Sequence, residues 1–229
     1  MSVGFRIYTK INRPAKELIE GFKGIPVANI ADNMGRISCI DTAIRPFNKV
    51  ALLGSAFTVK APLGDNLMFH KALDMAQAGD IIVIDGEGCM DHSLCGDIMF
   101  NYAKRKGIAG FLIDGCIRDA DTLETLEFPV YARGIQPKGP YKNGPGEINV
   151  PVCIGGQVVC PGDIIVGDGD GVVIIKPADA KYLIEKATVQ FKNEQKAYQD
   201  IANGTFDRAW VDKILSEKGV EIIDDYAKY

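Results

Sequence analysis

Three short β-branched runs separated by two windows of helical periodicity constrain this chain more than any other feature. The runs are LLGSAFTVKA at 52–61, IIVID at 81–85 and IAGFLID at 108–114, and the helical windows span 66–78 and 97–106. Strands that alternate with helices of this length predict a mostly parallel sheet with crossover helices. The segments leaving the carboxyl ends of neighbouring strands then share one edge of the sheet, which is where open α/β sheets place ligands.

The flanks read differently. Residues 1–48 are predicted to be a helical region, with Pro14 where a first turn tolerates it and Leu18, Ile19 and Phe22 at helical spacing. A second short helix is expected near Val27. After Arg118 the texture becomes FPVYARG and INVPVCIGGQVVCPGDIIVGDGDGVVIIK, short strands with Gly-rich turns that read as a β-meander. GDIIVIDGEG at 79–88 echoes GDIIVGDGDG at 162–171, which suggests a repeated device in which Gly-Asp opens a buried strand and Asp-Gly closes it. The DGDG at 168–171 lacks the ligand pattern of a calcium loop and reads as a tight turn. From 178 the chain is again helical: Leu183, Ala187, Phe191 and Tyr198 form an apolar stripe, and a second helix starts near Phe206 with Thr205 as its cap and Gly219 as its stop. The stripe packs on the chain's own sheet or on a neighbouring subunit. The class is α/β with a mixed sheet: one domain over 1–229, its core at 49–177 and its carboxyl-terminal helices at 178–229.

Composition narrows the partners. The 229 residues are 47% hydrophobic with a net charge of -4 and no long Lys/Arg run, so nucleic acid is not an expected partner. The six cysteines form no CxxC pair and follow no signal peptide, so they are expected to be reduced thiols in a cytoplasmic protein. No apolar stretch approaches the roughly 20 residues that cross a bilayer, so no membrane association is expected.

Asp97 opens the second helical window, and after twenty residues comes the pair Arg118-Asp119. The gap is about one helix and one strand, so all three are expected at the same sheet edge. Two aspartates suit a magnesium-like ion, which keeps several waters and takes few protein oxygens. Arg118 offers a planar fork for a carboxylate or enolate. The backbone amides of Gly96, Asp97, Ile98 and Met99, at the helix start, can donate to the same ligand. On spacing alone, Asp97 also reads as an ordinary helix-start residue and Arg118-Asp119 as a solvated loop pair.

Over nearly its whole length the chain resembles the RraA-like family. The match is carried by GDNLMFHKALDMAQAGDIIVIDGEG, CGDIMFNYAKRKGIAGFLIDGCIRDADTL, PVYARGIQPKGP and INVPVCIGGQVVCPGDIIVGDGDGVVIIKP, and the family's acid, twenty-residue gap and Arg-Asp stand intact as Asp97, Arg118 and Asp119. Enzymatic members are class II pyruvate aldolases acting on 4-hydroxy-4-methyl-2-oxoglutarate and 4-carboxy-4-hydroxy-2-oxoadipate. The resemblance implies a swivelling β/β/α-type domain, a trimer or hexamer with sites between subunits, and a divalent cation, Mg2+ or Mn2+. It implies that Asp119 binds the metal, that Asp97 acts on it through water, that Arg118 contacts the pyruvyl group, and that the 96–99 amides line the pocket. Glu194, in KNEQKAYQDIANG, is the best positioned candidate for a catalytic glutamate supplied by a neighbouring subunit.

The implied chemistry is retro-aldol cleavage of a 4-hydroxy-2-oxo acid to pyruvate, with oxaloacetate decarboxylation as a side activity and no Schiff base. Lys60 and Lys71 read as a strand residue and a solvated helix residue. The insert GEGCMDHSLC departs from the simplest family pattern and brings Glu87, Asp91 and His92 near the pocket. His92 reads as a distal substrate contact, a proton carrier, or a surface loop residue; His70 reads as structural. Two other functions compete. One is a protein-binding regulator of ribonuclease activity, against which the intact aspartates count. The other is a phosphohistidine carrier, for which neither histidine is well set.

Overall fold

The structure is a computed structural model that describes residues 2–227. In chain order the elements are β1 (Phe5–Ile7), α1 (Lys16–Glu20), α2 (Val27–Asp32), β2 (Arg45–Pro46), β3 (Leu52–Lys60), α3 (Leu67–Met75), β4 (Asp80–Ser93), α4 (Asp97–Lys106) and β5 (Gly110–Ile117). A 3-10 turn at Ala120–Glu124 leads to β6 (Val130–Ile135), β7 (Gly146–Ile148), β8 (Val152–Ile154), β9 (Gln157–Val159), β10 (Ile164–Asp168), β11 (Gly171–Ile175), α5 (Ala180–Ala202) and α6 (Ala209–Glu217).

The expected parallel unit is present: β3, β4, β5 and β6 pair in parallel, in that order. They are buried on both faces, which is why these segments read as continuous β-branched runs rather than alternating ones. Antiparallel neighbours make the sheet mixed, since β10 pairs with the start of β3 and β7 with its end. The expected meander does not form. β6 instead joins the parallel sheet, β8 and β9 make a separate hairpin, and among the described residues β10 and β11 are the sequential strands that pair antiparallel in the main sheet. Short strands with glycine turns carry little information about their partners, so the sheet edges decided the pairing.

The amino-terminal region is not wholly helical. Phe5–Ile7 is a strand, because it finds a parallel partner in Gly146–Ile148 that local propensity does not encode. Helices α1 and α2 do form there.

The echoed segments build the same turn. Gly79 and Gly162 both have positive φ, at +87° and +91°, and the next residues, Asp80 and Asp163, are buried. Each aspartate accepts from the amide three residues before it, Gln77 at 2.8 Å and Cys160 at 2.7 Å, and each is neutralised by a cation, Arg13 or Lys176. The closing halves differ. Asp168 to Gly171 is the tight turn of the β10–β11 hairpin, whereas β4 runs on through Glu87 in a bulged path to Ser93.

Helices α3 and α4 cover one face of the sheet, where Phe69 and Phe128 both pack edge-on against Phe111 with centroids 4.9 Å apart. The opposite face holds Ile81, Val83, Leu112 and Tyr131 against the β8–β9 hairpin and β10–β11. A third cluster packs α1, α2 and the start of α5 on β10 and β11.

The chain divides into two compact units, 1–189 and 190–229. Of the apolar stripe on α5, Leu183 and Ala187 are buried while Tyr198 is exposed. In the second unit, Thr205 does not cap α6, which starts at Ala209, three residues later than expected; just ahead of it the Asp207 carboxylate accepts from the Ala209 amide at 2.8 Å. Among the described residues no helix is long and apolar enough to cross a membrane, and all six cysteines are free thiols.

Candidate active site

Backbone pairing beyond the end of β4 brings the three key residues together. Leu94 N donates to Cys116 O at 2.8 Å and Arg118 N donates to Cys95 O at 3.0 Å, so Cys95 and Gly96 lie against the end of β5. α4 starts at the next residue, Asp97. The Asp97 amide donates to Asp119 Oδ2 at 3.2 Å, and Arg118 Nε stands 3.5 Å from the same oxygen. Asp97, Arg118 and Asp119 thus meet at the carboxyl edge of the parallel strands, as their spacing predicts.

Gly96 is what allows the approach. A Cβ on it would lie 2.3 Å from Asp119 Oδ2, closer than atoms can stand, and a tight 3.1 Å from Arg118 Nε. Asp119 has φ of +56°, a left-handed conformation uncommon for residues other than glycine. Strain of this kind gathers at functional sites, and here it turns the carboxylate back toward α4.

The four amides at the helix start are mostly occupied within the chain. Asp97 N is on Asp119, Ile98 N is on Asp97 Oδ1 at 2.7 Å, and Met99 N is on Gly96 O at 3.0 Å. An incoming anion would therefore have to compete with the site's own carboxylates for these donors. The Ile98 side chain is exposed and Met99 is buried under the helix.

Asp97 Oδ2 and Asp119 Oδ1 make no hydrogen bond among the described residues, and the Asp119 side chain is 39% exposed. Two carboxylate oxygens without a partner fit a cation that keeps much of its water. Among the described residues no three His, Cys, Asp or Glu side chains cluster as a metal cage. An ion here would take its remaining oxygens from water and substrate. Nearby Cys95 is fully enclosed, and burial, reinforced by the Asp119 charge, pushes its thiol well above the usual range, so it does not supply a thiolate.

His92 is not a surface loop residue. It is buried at the end of β4, its ring 4.9 Å from that of Tyr141 and pressed against Gly64. The reason is that the insert containing it pairs with β5 as bulged strand, at Cys89 with Gly115 and Ser93 with Cys116, instead of looping into solvent. Glu87 is exposed with φ of +56°. Asp91 pairs with Lys138 at 2.9 Å, and that ammonium holds its carboxyl below the usual range. Glu194 lies on α5 within the second unit, where Gln190 Nε2 donates to it at 3.3 Å. Lys60 ends β3 exposed, and Lys71 and His70 are exposed on α3.

Two contributors escaped the sequence reading. Asn66 is 3% exposed; its Nδ2 donates to Leu94 O at 2.8 Å, its Oδ1 has no partner, and it anchors the segment that delivers Gly96. A polar side chain directly ahead of the apolar Leu67, Met68 and Phe69 was the available signal. The loop after β6 also closes on the site: a Cβ on Gly139 would be 3.2 Å from Arg118 Nη1, and Lys138 O accepts from Ser93 N at 2.8 Å. Nothing in the local sequence predicted that loop's return.

Known proteins resemble this chain in sequence and fold. The RraA-like family, described as Aldolase/RraA, matches residues 27–174. A Halalkalibacterium halodurans protein with the provisional name 4-hydroxy-4-methyl-2-oxoglutarate aldolase is 36% identical over 201 residues, covering 87% of this chain and 96% of its own. Among solved structures, a Pseudomonas syringae pv. tomato protein superposes with a TM-score of 0.75 at 26% identity, covering 85% of this chain and 96% of its own. Streptomyces coelicolor RraAS2, described as an unusual member of the RNase ES inhibitor RraA family, gives 0.73 at 25% identity, with 82% and 99% covered. With the family match covering β3 to β10, α4 and the Arg118-Asp119 turn, this chain belongs to the RraA-like family.

Proposed function

We propose that this protein cleaves a 4-hydroxy-2-oxo acid to pyruvate and a second carbonyl compound, using a divalent cation held by Asp119 and, through water, by Asp97. The observation that carries this reading is the convergence of Arg118, Asp119 and the Asp97 amide within 3.5 Å around Asp119 Oδ2, with one oxygen of each aspartate left for a ligand. The aldolase name of the Halalkalibacterium relative supports it. A bound divalent cation would supply Lewis acidity toward the 2-oxo acid.

The chain's own groups do the rest. Arg118, 45% exposed beside the aspartates, binds the substrate carboxylate and stabilises the negative charge that develops when the C3–C4 bond breaks. The C4 hydroxyl proton passes to a base oriented by Asp97 or by Glu194 from a second copy of the chain, and the electrons of the broken bond become the pyruvate enolate, which is then protonated at C3. The same enolate arises when oxaloacetate loses carbon dioxide, so decarboxylation is the expected side activity. Assembly as a trimer or hexamer would let Glu194 act across an interface. The exposed Trp210 and Ile214 on α6, a helix without buried residues, are consistent with such docking.

The test is a screen of 4-hydroxy-2-oxo acids and oxaloacetate with Mg2+ or Mn2+, coupled to pyruvate detection. Turnover that is lost in Asp119→Ala is expected. The resemblance to RraAS2 supports a second reading, a regulator that binds ribonuclease. No turnover with any divalent metal, together with ribonuclease inhibition that survives Asp119→Ala, would favour that reading.

A further inference from the structure

The loop after β6, QPKGPYKNGP at 136–145, contains no helix, and its Pro137, Pro140 and Pro145 have no amide hydrogen with which to build a ladder of its own. It stands against the Arg118 guanidinium all the same. A Cβ on Gly139 would be a tight 3.2 Å from Arg118 Nη1, so glycine presents only hydrogens there. Arg118 has little else to fix it. Among the described residues its side chain makes one ion pair, with Asp119 at 3.5 Å from Nε, and both Nη atoms are without a hydrogen bond.

Two ties hold this loop, and Gly139 lies between them. At one end Lys138 O accepts from Ser93 N at 2.8 Å and from Ser93 Oγ at 3.1 Å. At the other, Tyr141 N donates to Gly64 O at 2.8 Å, Asn66 N donates to Tyr141 O at 3.0 Å, and the Asp65 carboxylate accepts from the amides of Asn143 and Gly144, at 2.5 and 3.0 Å. Asp65 is 3% exposed, and its other oxygen accepts from Leu67 N at 2.9 Å where α3 begins. A buried carboxylate that gathers three backbone amides makes charge-assisted bonds with little competition from water, so this second tie is the stiffer one.

We propose that Asp65 is a positioning residue for the reaction: through the Asn143 and Gly144 amides it fixes the 138–144 loop, and Gly139 in that loop holds the Arg118 fork where it meets the substrate carboxylate. What the fork grips rests on the aldolase reading; that Asp65 sets its position does not.

The experiment uses two variants of the full chain. Asp65→Asn has one acceptor oxygen for two sides, and on the other side its NH2 donates toward a donor. Gly139→Ala leaves every tie intact and presses on Nη1 directly, so it carries the test if Asp65→Asn fails to fold. Two readouts are taken: the Arg118 Nε–H magnetic resonance signal, identified by its loss in Arg118→Lys, and steady-state kinetics on the oxo acid that the parent turns over. Both variants are expected to move the signal. Both should raise KM about tenfold, the worth of one charge-assisted hydrogen bond, with a smaller change in kcat, because a carboxylate is gripped in ground and transition states alike. In an Arg118→Lys background, where the fork is absent, Asp65→Asn should raise KM no further. An unmoved Arg118 signal in folded Asp65→Asn, or in Gly139→Ala when it alone folds, would overturn the proposal. So would a fall in kcat with KM unchanged, or an equal rise in KM in the Arg118→Lys background, since either makes Asp65 an anchor of the fold alone. A parent that turns over no oxo acid ends the aldolase reading, and the Arg118 signal then decides the role of Asp65 by the same criterion.

Discussion

At the scale of single residues, the site is defined by what is missing from Gly96 and by what is strained at Asp119. Gly96→Ala would put a methyl into the place of Asp119 Oδ2, so the carboxylate must move. Displacement of about 1 Å in a catalytic group can cost about 100-fold in rate; a loss of that order in pyruvate release is the expected outcome. Asp119→Gly makes a sharper separation. Glycine adopts φ of +56° without penalty but adds freedom to the unfolded chain, so stability should stay within about 1 kcal/mol of the parent by denaturant titration. Activity should be lost, because the carboxylate proposed to hold the cation is gone. Cys95 gives a third check. Buried and with its thiol pushed upward, it should resist iodoacetamide at mild alkaline pH while exposed Cys39 and Cys153 are labelled, as read by peptide mass spectrometry.

At the scale of elements, β4 links the fold to the chemistry. Its first half is a buried parallel strand and its second half a bulged excursion whose end hydrogen-bonds to β5 and the loop after β6, delivering α4 to the Arg118-Asp119 turn. Close packing of β3 on β4 holds the start of that path. A Cβ on Gly54 would stand 2.5 Å from the Gly79 carbonyl oxygen and 3.1 Å from Ala109 Cβ. Gly54→Ala should therefore destabilise the protein by about 1–3 kcal/mol through overpacking, seen as a lower denaturation midpoint. The parallel strands and α4 were legible because their periodicity is local. The end of β4 was not, since GEGCMDHSLC carries loop-like glycines and only its pairing with Gly115 and Cys116 makes it a strand.

At the scale of the whole molecule, a site completed between copies of the chain has a direct test. Asp119→Ala and Glu194→Gln should each be inactive alone. If Glu194 acts across an interface, assemblies re-formed from a mixture of the two should regain a fraction of the parent rate, because some interfaces then carry an intact Asp119 and an intact Glu194. Mixtures that stay inactive would remove the action of Glu194 across an interface from the proposed mechanism. The same experiment, followed by light scattering, distinguishes trimer from hexamer.

The sequence by itself determined the parallel core, the helix that begins at Asp97, the turn that opens each echoed strand, and the meeting of Asp97 with Arg118-Asp119. Each of these follows from short-range periodicity, turn chemistry or the edge-sharing rule of parallel sheets. Only the tertiary structure decided that Phe5–Ile7 is a strand, that β6 joins the sheet instead of a meander, that His92 is buried against Tyr141, and that Asn66 and Gly139 support the site. Those outcomes depend on partners tens of residues away, and a strand's partner or a side chain's burial is set by which surface reaches it and not by the residues beside it.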